Sequence, residues 1–226
     1  MTRMMLAVWA SAAANLSGTA MGQESANAAE QLYNRMTGKI LQAGTVQVAL
    51  KTETKLNGNP FKTSDVRIIL EAPNRLWLKA QGTSQGKPEG VTMICDGTQF
   101  KVGDGPPQAA PETVSRNYRV ILVKMGVSTY LGTKVVRNVV INTTDFKMGK
   151  KEKAGGVETQ AVEYVLDIGK PEPRLTTTIW IDLKTELPVR RVTVLKAPSE
   201  EIVFTESMGG LKLDEKVDPK TFELPR

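Results

Sequence analysis

Apolar residues recur in this chain at two intervals, first every three or four positions and then every second one. Between Ser25 and Ala43, the residues Ala29, Leu32, Tyr33, Met36 and Ile40 fall on one side of a helix, and Gly44 is placed to stop it. From Thr45 the period becomes two: Val46, Val48 and Leu50 alternate with Gln47, Ala49 and Lys51 up to the turn sequence Asn57-Gly58-Asn59-Pro60. A return strand, Phe61 to Leu70, alternates through Val66, Ile68 and Leu70. Pro73-Asn74 turns the chain into Arg75 to Lys79, residues 86–90 turn it into Val91 to Cys95, and Asp96-Gly97 turns it into Thr98 to Val102. Strands separated only by turns predict a meander of antiparallel neighbours.

The alternation stops at a Gly- and Pro-rich loop, residues 103–111. Val114, Tyr118, Ile121, Leu122 and Met125 then have helical spacing within residues 112–136, with Gly126 as an interruption and a second short helix after it. Residues 119–123 also fit a strand. Beyond Asp145 the period of two returns. Lys147 to Gly156 reads as a charged hairpin turn, followed by a strand through Val162, Tyr164, Leu166 and Ile168. Pro171-Glu-Pro173 turns into Leu175 to Asp182, and Val189 to Leu195 and Glu201 to Thr205 complete the strands before a tail ending at Phe222. The expectation is a mainly β (α+β) domain, one antiparallel sheet of about ten or eleven strands with two or three helices. Splitting it at residues 103–111 would leave each half with half a core, so residues 23–226 read as one domain.

The N-terminus reads as an address. Arg3 precedes the apolar run Met4 to Ala14, and Ala20-Met21-Gly22 satisfies the small-x-small rule, so residues 1–22 are expected to be a signal peptide cleaved before Gln23. A cytosolic helical or disordered N-terminus is the competing reading. The run is too short to span a bilayer. Export into the periplasm also suits a lone cysteine, Cys95, which lies in the apolar stretch Val91 to Cys95 and reads as a buried structural thiol.

Charge adds little. Thirty basic and 24 acidic residues give +6, spread along the chain and short of a nucleic-acid-binding stripe. The densest run, Lys147, Lys150, Lys151 and Lys153, suits an exposed hairpin tip kept soluble by lysine, or a contact with anionic headgroups. Histidine is absent, which removes the usual general base near neutral pH and the commonest metal ligand. Gly103-Asp-Gly105 is followed by Pro106-Pro107 and so offers no phosphate-binding helix start, and Glu200 and Glu201 point to opposite faces of a strand. No catalytic residue, cofactor or metal is expected, and the chain reads as not an enzyme.

Three stretches resemble one family. Cys95 to Phe100 looks like the Asp-Gly turn of the bacterial outer-membrane lipoprotein-sorting, or LolA-like, family. Trp180-Ile181-Asp182 with Thr185, Leu187, Pro188 and Arg190-Arg191 resembles its Asp-x-x-Thr-Gly-x-Pro strand and turn, and Val217 to Pro225 its closing Asp-x-x-x-Phe segment. The resemblance implies an open half-barrel whose concave face is covered by helices, with an apolar cavity that carries lipid or the acyl chains of lipoproteins between membrane-bound donor and acceptor proteins, or senses them. It implies a monomer that takes no nucleic acid. By alternation the concave face should carry Val46, Val48, Leu50, Val66, Ile68, Leu76, Leu78, Met93 and Tyr164, as cavity lining or as core against the helices. The family's carriers have an arginine just before the Pro-Asn turn, which bonds the helical lid. Here Ala72 stands in that place, and Arg75, beyond the turn, should face away from Leu76, so the lid role is not carried over.

Overall fold

A computed structural model describes residues 16–132, 141–167 and 174–225. One long helix, α1 (Leu16–Gln42), leads into the strands β1 (Thr45–Leu56), β2 (Asn59–Glu71), β3 (Arg75–Ser84), β4 (Lys87–Cys95), β5 (Gln99–Val102) and the short β6 (Gln108–Ala109). A helical segment follows: α2 (Val114–Val120), a π-helical turn (Ile121–Met125) and α3 (Val127–Gly132). The second half is β7 (Asn142–Ala154), β8 (Val157–Asp167), β9 (Leu175–Asp182), β10 (Pro188–Ala197) and β11 (Glu200–Leu213), closed by a 3-10 turn, Pro219–Phe222. All eleven strands form one open antiparallel sheet in the order β6-β5-β4-β3-β2-β1-β11-β10-β9-β8-β7. This is the expected mainly β half-barrel with three helices. The two meanders meet where β1 pairs with β11, Val46 opposite Leu213 and Leu56 opposite Ile202.

Period-two alternation places one set of side chains on each face. On β1, Val46, Val48, Leu50, Thr52 and Thr54 are buried, and their strand neighbours face outward. The buried face is covered by α1 through Ala29, Leu32, Tyr33, Met36 and Ile40, and by Val114, Tyr118, Leu122, Val123 and Met125 of the second helical segment. Residues 119–123 are helical, so the strand alternative for them is not taken.

Several sequence boundaries shift, each for a local reason. α1 starts at Leu16 and continues through the Gly22–Gln23 position where cleavage was expected. The turn read at residues 86–90 is the pair Gln85-Gly86, both with positive φ, and residues 87–90 belong to β4. Lys147 to Gly156 is not a turn. β7 runs to Ala154, and only Gly155-Gly156, with φ of 59° and 85°, make the hairpin. The lysines lie along the sheet's edge strand, where exposed charge blocks further pairing. β11 extends to Leu213, well past Thr205, because Glu206 and Met208 continue the inward alternation. The short helix expected to reach Val136 is described to Gly132, and Ile168 and the Pro171–Pro173 turn lie outside the described residues.

Candidate functional site

The nine residues expected on the concave face all lie under the helices. Val46, Val48, Leu50, Val66, Ile68, Leu76, Leu78 and Tyr164 are buried in one core cluster, with Met93 packed against it and accepting the Tyr118 hydroxyl at 2.9 Å. They pack directly against helix side chains. The helices form a layer over this face.

Polar contacts fasten that layer in addition to its apolar packing. A helix that ends inside a core must find donors for its last carbonyls. The π-turn closes with the Gly126 N–H on the Ile121 carbonyl at 2.7 Å, which leaves the carbonyls of residues 122–124 without backbone partners. Arg191 of β10, 1% exposed, donates through Nη2 to Leu122 O at 2.8 Å and Val123 O at 2.9 Å. Tyr33 donates to Val123 O at 3.3 Å, and Tyr164 to Lys124 O at 2.9 Å. Burial raises the pKa of both tyrosines above the ordinary phenol value, so both keep the proton that they donate.

The Arg191 charge is balanced by Glu206 of β11, its Nη1 3.1 Å from Oε2 and both side chains 1% exposed. The other carboxylate oxygen of Glu206 accepts the Ser128 N–H at 2.6 Å and the Ser128 hydroxyl at 2.9 Å, which ties down the start of α3. Gly126 sits over this pair. Its φ is +89°, and a Cβ there would lie 2.7 Å from Glu206 Oε2 and 2.8 Å from Arg191 Nη1. Only glycine meets both conditions. Tyr33, Phe146 and Tyr164 form an aromatic cluster beside it, with centroids 4.8–5.9 Å apart.

The other end of the helical segment is anchored too. Asn74, buried in the β2–β3 turn, donates to Pro111 O at 2.7 Å and accepts the Ser115 N–H at 3.3 Å, fixing the first turn of α2. Arg119 of α2, 4% exposed, donates to the carbonyls of Ile40 (3.1 Å), Ala43 and Gly44 (3.1 Å), the end of α1. A cation at this end also complements the helix dipole. Burial pulls the Arg119 pKa down, although Asp214 opposes the shift.

The corner at Ala72 is also fastened from the helical side. The Ala72 N–H donates to the same Gly44 carbonyl at 2.9 Å, and the guanidinium arrives from the helical side. Arg75 pairs with Glu71 at 3.1 Å and stacks 5.8 Å from the Phe222 ring, so it takes no part in holding the helices.

Sequence reasoning named the apolar face but not Arg119, Arg191, Glu206 or Ser128. One signal was available for the ion pair. Arg191 shares its parity with Thr193 and Leu195, and Glu206 shares its own with Phe204 and Met208, so each puts a charge into an inward-facing row.

No family model matches the chain, and no curated protein matches it. Among solved structures it is similar to LprF from Mycobacterium bovis, at 14% identity over 82% of this chain and 93% of that one, with a TM-score of 0.49. MucB is similar at 12% identity over 88% of this chain and 63% of MucB, with a TM-score of 0.46. A LolA superfamily protein from Nitrosomonas europaea is similar at 10% identity over 87% and 97% of the two chains, with a TM-score of 0.42. The last of these carries the name of the family that the three motifs resemble.

Proposed function

We propose that this chain is a periplasmic carrier or binding protein that holds a lipid, or the acyl chains of a lipoprotein, between its sheet and its helical layer. One observation carries the reading: residues 114–132 cover an apolar sheet face and are tied to it and to α1 by polar contacts spaced along the segment. Asn74 holds the first turn of α2, Arg119 reaches the end of α1, and Arg191, Tyr33, Tyr164 and Glu206 hold residues 122–128. Released there, the layer parts as a unit and uncovers Val46, Val48, Leu50, Val66, Ile68, Leu76, Leu78, Met93 and Tyr164 as continuous lining. Each acyl methylene buried there contributes about 0.8 kcal/mol, so binding needs no reactive group. Residues 1–22 support delivery outside the cytoplasm, and membrane-bound proteins would load and unload a monomeric carrier.

The burial of that face against helix side chains favours a second reading, a sensing or protein-contact module that carries no cargo. Native mass spectrometry of protein purified from periplasm, with organic extraction and displacement of a fluorescent fatty acid, separates the two. Co-purifying lipid or saturable displacement is expected of the carrier. An empty protein that ignores the probe leaves the module.

A further inference from the structure

The sheet face opposite the helices carries a groove of about 1010 Å³ that crosses β3, β2, β1, β11 and β10. Its floor is low because small residues meet there: Gly209 and Arg67 lie on either side of Ala49, and Ser207 lies between Lys51 and Arg190. Four cations line it, Lys51, Arg67, Lys79 and Arg190, against the single carboxylate of Asp65. Arg67 stands directly opposite Lys79 across the β2–β3 pair, an arrangement of like charges that weakens a sheet. Some exposed lysines elsewhere find carboxylates, as Lys196 does with Glu201 at 3.1 Å and Lys39 with Glu186 at 2.9 Å. Among the described residues, Lys51, Arg67 and Lys79 make no side-chain hydrogen bond or ion pair. The Arg190 guanidinium lies 4.9 Å from the Trp180 ring, an aromatic contact that leaves its charge unneutralised.

We propose that this groove docks an extended acidic segment of a partner protein, independently of any cargo under the helices. Length and charge spacing select this occupant. Five strands about 4.8 Å apart span roughly 19 Å, the reach of about six extended residues. One phosphate would be met by two of the cations, whereas four spread over β3, β2, β1 and β10 call for several negative charges along a chain. A flat bilayer surface does not follow a concavity that crosses five strands, whose lining includes Trp77 and Val189 beside the four cations. All five strands are interior to the sheet with their backbone groups paired, so recognition falls to side chains, with the arginines able to take carboxylates bidentately.

The test is fluorescence anisotropy of the full-length protein with a labelled octapeptide of alternating Glu and Gly and with its Gln counterpart. The Glu peptide should bind saturably and the Gln peptide should not. Affinity should fall by about tenfold or more when salt rises from about 50 to about 500 mM. Arg67→Glu with Lys79→Glu should weaken binding by about tenfold or more, and Lys150→Glu with Lys151→Glu on β7, an equal change of net charge, should leave it intact. Circular dichroism checks the fold, and Arg67→Gln with Lys79→Gln replaces the reversal if that variant fails to fold. Absence of saturable Glu-peptide binding overturns the proposal, as does equal loss in both double reversals. So does stronger binding of octathymidylate or of phosphatidylglycerol vesicles that is lost in the groove variant.

Discussion

Replacing Arg191 by methionine tests the latch where it is most sensitive. The substitution keeps much of the side chain's length but removes the charge opposite Glu206, which is 1% exposed and 3.1 Å away. The carboxylate then keeps only the Ser128 N–H and hydroxyl as donors. Breaking a buried pair from one side costs about 3–5 kcal/mol. The Leu122 carbonyl loses its side-chain donor, while Val123 O retains Tyr33, and one orphaned buried carbonyl adds about 1–3 kcal/mol. The total is a large part of the roughly 5–15 kcal/mol that holds a domain together. Arg191→Met with Glu206→Leu should cost less than Arg191→Met alone, because no buried charge is left unpaired. Urea unfolding followed by tryptophan fluorescence and circular dichroism, with linear extrapolation, measures all three variants. An Arg191→Met cost below about 1 kcal/mol, or a double variant no better than the single one, would refute the claim that this pair holds the helical layer.

Gly126→Ala should destabilise by about 2 kcal/mol or more in the same assay, since it combines positive φ with a Cβ that meets Glu206 and Arg191. Arg119→Met takes this donor from the carbonyls of Ile40 and Ala43, while Gly44 O keeps the Ala72 N–H, and should cost about 2–3 kcal/mol with faster amide exchange at the end of α1. Protection there equal to wild type would deny Arg119 its capping role. The Lys184 N–H, followed by the Thr185 hydroxyl, holds the Asp182 pKa below its ordinary value. Its contribution to stability is therefore complete above the unfolded value of about 3.9 and is lost as pH falls through the lower folded value. Asp182→Asn should accordingly narrow its deficit against wild type below about pH 4, and a constant gap across that range would contradict the assignment.

The sheet was legible because one face is buried and the other wet, so each inward residue is announced by its polar neighbours, as with Val46, Val48 and Leu50. Turns read well where Asn57-Gly58 or Asp96-Gly97 marked them. They read poorly at Lys147 to Gly156, where lysine density imitates a loop although the strand continues to Ala154. The residues expected to line a cavity were legible as inward-facing for the same reason as the core, and that equivalence is why periodicity could not separate the two roles. The latch was hidden because its members are far apart in sequence. Only folding brings Arg191 to the carbonyls of Leu122 and Val123, or Arg119 to the end of α1.

The seam between β1 and β11 bears on how this protein assembles. Strands β1 to β6 form one ribbon from chain neighbours, and β7 to β11 form another, both able to zip up locally. Residues 46 and 213 must still meet to join them. Until β11 has emerged from synthesis and docked, β1 presents a free edge beside the stickiest surface of the molecule, the state from which strands pair with the wrong chain. The final strand is thus an internal safeguard against aggregation, and lesions in Glu200–Leu213 should lower yield more sharply than equal lesions in the edge strand β7.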